Sequence, residues 1–259
     1  MPIITLTTDL GNEDYYLGAV KGALLSAIPN VQIIDITNNI KVYDIKKAAF
    51  VLKNVYKDYP SGTIHILGMQ PDKTNNYSSL IIYHNEQYFI GPNNGAFSLI
   101  FDTKPTEIYE FNYDLYPNSY CFPVKNLYAK VAAHIANGGH PNKIANPVYE
   151  YNELLMFNAI SEPYLIKGLV NYIDHYGNAI TNISKNLFDQ YQLPRFQIYF
   201  RGKEYSLNKI SKHYDDVSES SVLALFNSTG FLELAMNKGN FSKLCGINLN
   251  DSIRIEFYD

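Results

Sequence analysis

The chain has 259 residues, 46% hydrophobic and 18% charged, a globular composition that excludes intrinsic disorder and suffices for one large domain or two ordinary ones. A net charge of −4 leaves no basic footprint, so no nucleic-acid partner is expected. Cys121 and Cys245 are too few for a disulfide framework and lack metal-ligand spacing, so free buried thiols, a reducing compartment and no metal are expected. The opening MPIITLTTDLG has no positive region ahead of an apolar core. No run of about 18 apolar residues occurs anywhere, so the expectation is a soluble cytoplasmic protein with no membrane partner.

Ile3–Thr7 is a short β-branched run, as a buried strand requires. Leu17, Val20, Leu24 and Ala27 follow at helical spacing until Pro29 stops the pattern. Val31–Ile36 predicts a second strand. Asp44 predicts the N-cap of a helix whose apolar face holds Ala48, Val51, Leu52 and Val55, ending before Pro60. Thr63–Leu67 is a third strand, Ser79–Tyr83 and Gln87–Ile90 a hairpin, Ala96–Phe101 a short helix, Thr106–Glu110 a strand and Leu127–Ala136 a helix. The β-α-β-α-β rhythm with continuously apolar strands predicts a Rossmann-like α/β domain, its mostly parallel sheet covered by helices on both faces.

After about residue 160 the rhythm changes. Tyr164–Ile173, Asn178–Ile183, Phe196–Phe200, Ser221–Phe226, Phe231–Ala235 and Ser252–Phe257 are strand-like, with one short helix near Leu187–Tyr191. Short strands parted by Gly, Asn and Asp turns predict a small all-β barrel or sandwich. Pro147 and Pro163 bracket the change, giving an α/β domain over 1–155 and a β-barrel domain over 163–259.

The loop leaving the first strand carries Asp9, Glu13 and Asp14, at the strand end where open α/β sheets bind ligands. Neither Gly-x-Gly-x-x-Gly nor a Walker lysine is present, so a phosphate cradle is not expected. A carboxylate here suits a vicinal diol, an ammonium or a sulfonium; equally, Asp9 can cap a turn and Asp14 the following helix. GPNNGAF (91–97), DHYGNAITNI (174–183) and NSTGF (227–231) are polar turns, each explicable by turn chemistry alone. Within the second of them Tyr176 offers an aromatic face, and Asn178 an amide able to bond both edges of an adenine. His65, His134, His140 and His213 show no metal spacing, and no Gly-x-Ser-x-Gly elbow occurs.

Taken in order, TTDLGNED, GPNNGAF, the helix ending AAHIANG, DHYGNAITNI and NSTGF resemble the S-adenosylmethionine hydroxide adenosyltransferase family, relatives of fluorinase and chlorinase. The resemblance implies a homotrimer with sites between subunits, S-adenosylmethionine as substrate or ligand with no other cofactor, and attack on the ribose 5′-carbon by water or halide. It implies that Asp9 holds the ribose hydroxyls and Asp14 faces the methionine ammonium. Tyr176 and Asn178 would flank adenine, Ser228 would sit near the methionine carboxylate, and Tyr43 would place an aromatic against the ligand. The catalytic positions differ. Gln70 stands for an aspartate, Tyr77 for an arginine and Pro123 for a histidine; Val124 stands for the halide-facing serine of halogenases and Thr229 for an arginine. A shift in register would bring Asp72 or Lys73 into play. Loss of those polar partners implies a general-base contribution smaller by on the order of 10²–10⁴-fold. Two functions are therefore expected in turn: hydrolysis of S-adenosylmethionine to adenosine and methionine, or binding of S-adenosylmethionine or adenosine without turnover.

Overall fold

The structure is a computed structural model that describes residues 1–69, 78–111, 119, 121–155, 157–202 and 205–259. The chain divides into two compact units, Met1–Leu155 and Met156–Asp259. The first opens with strand β1 (Ile3–Thr8), helix α1 (Tyr15–Ala27), strand β2 (Gln32–Thr37), helix α2 (Ile45–Lys53) and strand β3 (Ile64–Gly68). β1 runs between β2 and β3, parallel to both, and every residue of it but Ile3 is buried. This accounts for its unbroken apolar run: a strand covered on two faces has no solvent side to mark with polar residues. Leu17, Val20 and Leu24 are the buried stripe of α1, and the Asp44 carboxylate accepts from the Lys47 N–H at 3.0 Å to cap α2.

Strands β4 (Ser79–His84) and β5 (Gln87–Pro92) form the expected hairpin, turning through Asn85 and Glu86 at φ of +49° and +59°. Two successive left-handed residues match the twist of antiparallel strands. β5 lies parallel to β3, then β4 pairs with β5, β6 (Glu107–Glu110) with β4, and β7 (Asn146–Pro147) with β6, all antiparallel. The order β2-β1-β3-β5-β4-β6-β7 is thus a mixed sheet, not the mostly parallel one expected. The reason is local, since a two-residue turn joins only antiparallel strands. One face packs on α1 and α4 (Ala129–Ala136) and the other on α2 and α3 (Ala96–Ile100), each over its own apolar core.

Among its described residues the second unit is all-β apart from two short α-helices and a 3-10 turn at Tyr214–Asp216. Its strands are β8 (Ile160–Glu162), β9 (Leu165–Ile173), β10 (Ala179–Ser184), β11 (Arg195–Phe200), β12 (Tyr205–Leu207), β13 (Val222–Phe226), β14 (Phe231–Met236) and β15 (Ser252–Tyr258); α5 (Lys185–Phe188) follows β10 and α6 (Phe241–Cys245) follows β14. They form one antiparallel sheet, ordered β12-β11-β15-β9-β10-β14-β13 with β8 on β9. Ile166, Ile183, Ile198, Leu232, Leu234 and Ile255 meet in one core, so the sheet curls around it. No pairing of β12 with β13 closes it among the described residues, which makes it barrel-like rather than a closed barrel. Of the two thiols expected to be buried, Cys245 is and Cys121 is exposed.

One polar network crosses the α2 side of the first unit. The Gln87 side-chain N–H₂ donates to the carbonyls of Tyr56, Tyr59 and Pro60, leaving its Oε1 as an acceptor 3.3 Å from His65 Nε2. His65 Nε2 is therefore the donor, and its Nδ1 accepts from the Thr5 hydroxyl at 2.7 Å. Burial pushes the His65 imidazole down to about 4, opposed in part by its bond to Gln87. The folded state holds this ring neutral while the unfolded chain protonates it near its ordinary value of 6.5. Stability is accordingly whole above about pH 6.5 and falls as pH drops toward 4, by about 3 kcal/mol from this group. Urea melts at pH 7 and pH 4.5 will show this loss in the wild type and a smaller one in His65→Gln; equal losses would contradict the assignment.

Candidate functional site

The loop after β1 is organised by buried neutral hydrogen bonds. The Thr8 hydroxyl donates to Asn38 Oδ1 at 2.8 Å, with both residues buried. The Gly11 N–H donates to the Asn38 carbonyl at 2.8 Å, and the Asp9 N–H reaches the Gly68 carbonyl at 3.5 Å. Gly11 has a φ of +72°, which lets the chain double back toward β2. Asp9 is left half-buried at the carboxyl ends of β1 and β3.

Asp14 occupies the N-cap position of α1, yet its side chain makes no capping hydrogen bond and the residue is exposed. The capping interpretation thus holds for its position and not for its chemistry. Behind it the Tyr16 ring lies tilted against Tyr15, centroids 4.3 Å apart, and edge-on to Phe122 at 5.3 Å. Tyr43 is exposed at a φ of +67°, just before the cap of α2.

The stretch CFPVKN lies beside the same strand ends. Pro123 is buried and leads into a π-helical turn, Val124–Tyr128, ahead of α4. A Cβ on Gly68 would stand 2.9 Å from Thr8 Cγ2 and 3.1 Å from Val124 Cγ2, so hydrocarbon fills the space under the loop. Gln70, Tyr77, Asp72 and Lys73 lie outside the described residues.

GPNNGAF is accounted for by structure. Gly95 has a φ of +90°, the Asn94 amide spans the Met69 carbonyl and the Ala96 N–H, and Asn93 binds Asn152 through two hydrogen bonds.

In the second unit Tyr176 and Asn178 come together on an open cleft of about 710 Å³, shared with Asp174, Tyr214, Met236 and Asn240. Asn178 is 6% exposed and fully oriented: its backbone N–H donates to Asp174 Oδ1 at 2.8 Å and its side-chain N–H₂ to Asp174 Oδ2 at 3.1 Å. One amide proton and Oδ1 remain, the donor–acceptor pair that a planar heterocycle edge requires. Tyr176, 75% exposed, stands on the rim. The loop is seated on α6, where Asn240 caps the helix by accepting from the Lys243 N–H at 2.9 Å and the Ser242 N–H donates to the Gly177 carbonyl at 2.9 Å.

Ser228 lines a different depression, with Asn227, Thr229 and Glu233, and Tyr214 borders both. The Ser228–Gly230 turn is built by Asn227 Oδ1, which accepts from the Thr229 N–H at 3.0 Å and the Thr229 hydroxyl at 2.7 Å. Ser228 itself is exposed. Asp174, Tyr214 and Asn240 were missed in the sequence. Asp174 carried a signal, four residues before Asn178, the spacing of a side chain that folds back onto its own turn. Among the described residues no group of three or more His, Cys, Asp or Glu is placed to hold a metal, and no helix is long and apolar enough to cross a membrane.

An acidic loop at the end of a buried first strand, followed by an all-β unit with an aromatic and amide cleft, defines a class of two-unit α/β–β proteins. The chain belongs to the SAM hydroxide adenosyltransferase family: the models of its N-terminal and C-terminal domains match residues 4–145 and 168–254. It is 31% identical over 265 residues to an (R)-S-adenosyl-L-methionine hydrolase of Methanocaldococcus jannaschii, covering 98% of this chain and 96% of that one. It is 24% identical over 292 residues to a fluorinase of Nocardia brasiliensis, covering 98% and 97%. Among solved structures, an uncharacterized conserved protein from Thermotoga maritima matches with a TM-score of 0.87 at 26% identity, covering 98% of this chain and 99% of that one.

Gly177 is the backbone joint of the cleft. It sits at a φ of +86°, and a Cβ there would come within 2.3 Å of the Asn240 side chain. Gly177→Ala is expected to destabilise the protein by about 1–3 kcal/mol, through strain and displacement of the α6 cap. A urea midpoint equal to that of the wild type would contradict this seating of the loop.

Proposed function

We propose that this chain hydrolyses S-adenosylmethionine to adenosine and methionine, with the (R) sulfonium epimer named in its relatives as the form to test first. Water oxygen bonds to the ribose 5′-carbon, the carbon–sulfur bond breaks with its electrons on sulfur, methionine leaves as a neutral thioether and one proton passes to solvent. The observation that carries this reading is the match along 98% of the chain to a hydrolase at 31% identity. Fluorinases are matched at lower identity, and Val124 offers a carbon surface where a halide would need donors.

The roles assigned to side chains are part of the proposal. Asp9 accepts from the ribose hydroxyls and Asp14 pairs with the methionine ammonium, supported by its unused cap position. Tyr43 lies against the ligand, Tyr176 covers an adenine face, Asn178 reads its edge and Ser228 donates to the methionine carboxylate. Pro123 carries no transferable proton. Catalysis here therefore rests on holding water in line with the carbon–sulfur bond, with a leaving group that needs no protonation. The curled second unit is read as the barrel of the family, the assembly as a homotrimer and the location as cytoplasmic.

The test is to incubate the purified protein with each epimer of S-adenosylmethionine and follow adenosine by chromatography. Adenosine release above background is expected, falling about 10²-fold or more in Asp9→Ala as the ribose loses its anchor. Binding of S-adenosylmethionine or adenosine without release would overturn hydrolysis and leave a binding protein. Asn178→Ala should raise the adenosine Kd by the equivalent of about 1–3 kcal/mol, and an unchanged Kd in calorimetry would remove Asn178 from the site.

A further inference from the structure

Glu233 is an acid on an otherwise apolar strand, 3% exposed, and the reaction proposed above gives it no part. Its neighbours Leu232 and Leu234 point into the core of the second unit, so Glu233 faces the opposite side of the sheet, beside a small apolar patch of Leu223, Leu225 and Ala235. There its two oxygens hold two different loops. Oε1 accepts from the Tyr214 hydroxyl at 2.7 Å, and Oε2 accepts from the Asn227 side-chain N–H₂ at 3.1 Å. Tyr214 borders both the cleft of Tyr176 and Asn178 and the depression of Ser228. Asn227 uses its other amide atom, Oδ1, to build the turn that carries Ser228.

A buried carboxylate is costly to keep where an apolar residue of similar size would serve stability as well or better. What an apolar residue would not do is fix a hydroxyl on one loop and an amide on another at once. We propose that Glu233 is a positioning residue for the adenosyl ligand, holding the Tyr214 ring and the Ser228 turn at a set spacing so that one molecule engages both. The inference rests on the adenosyl reading of this cleft. It predicts a binding defect, because both arms end on groups that line the ligand's walls and neither reaches the nucleophile.

Glu233→Gln keeps the shape but turns an N–H₂ toward one of two donors. The expected result is a rise of about tenfold in the adenosine Kd and in KM for S-adenosylmethionine, with kcat little changed. Tyr214→Phe keeps the ring, loses the hydroxyl and is expected to weaken adenosine binding in the same direction. The double variant should bind no more weakly than the weaker single one, because the Tyr214 arm acts through Glu233. Additive losses, or a wild-type adenosine Kd in both single variants with only the melting midpoint lowered, overturn the proposal. Should Glu233→Gln not fold, an unchanged Kd in Tyr214→Phe overturns it alone. A wild type that binds no adenosine overturns the adenosyl reading and this inference together, whereas a binding wild type with unaffected variants overturns the inference only.

Discussion

Beneath Asp9, the hydrogen bond from Thr8 to Asn38 holds the carboxyl ends of β1 and β2 to one another where the sheet ladder stops. Past that point backbone groups have no strand partner, and a buried strand end without substitutes would leave them unsatisfied. The Gly11 N–H on the Asn38 carbonyl and the Ile40 N–H on the Thr8 carbonyl are those substitutes. Neutral groups thus hold the loop to β2, with Asp9 half-buried and Asp14 exposed.

The second unit meets the same demand differently. Its cleft lies on the turn between β9 and β10, pinned to the start of α6, with Gly177 in the left-handed region and Asn240 closing the space above it. Asp174 then spends both oxygens on Asn178, converting a flexible amide into a fixed donor–acceptor pair. Orientation of this kind lowers the entropy lost when a planar ligand docks.

The chemistry asked of such a site is modest in one respect and demanding in another. A sulfonium departs as a neutral thioether, so no acid is needed at the leaving group. Water is a weak nucleophile, and in the proposed reaction it gains its advantage from alignment, an effect that in well-ordered systems reaches several kcal/mol. Pro123 and Val124 present a rigid turn and a hydrocarbon wall beside the strand ends. The π-helical turn that begins at Val124 is a local departure from regular geometry of the sort that often accompanies binding sites.

Much of the first unit was legible because its strands are buried on both faces and its helices carry caps and periodic stripes, signals that live within a few residues of one another. The mixed sheet was not, since the partner that β5 chooses depends on strand pairing across more than twenty residues of chain. Helix α6 was also missed, because at five residues it is too short for a periodic pattern, although Asn240 and Gly246 mark its two ends. The sequence by itself determined the α/β-then-β division, the acidic loop after β1 and, through five ordered motifs, the family. Only the tertiary structure decided that Asp14 sits at a cap position without making the capping bond, that Asp174 aims Asn178 and that Glu233 ties Tyr214 to the Ser228 turn. Those are matters of side-chain direction and hydrogen-bond partnership, which backbone folding sets at ångström scale and which no residue type announces alone.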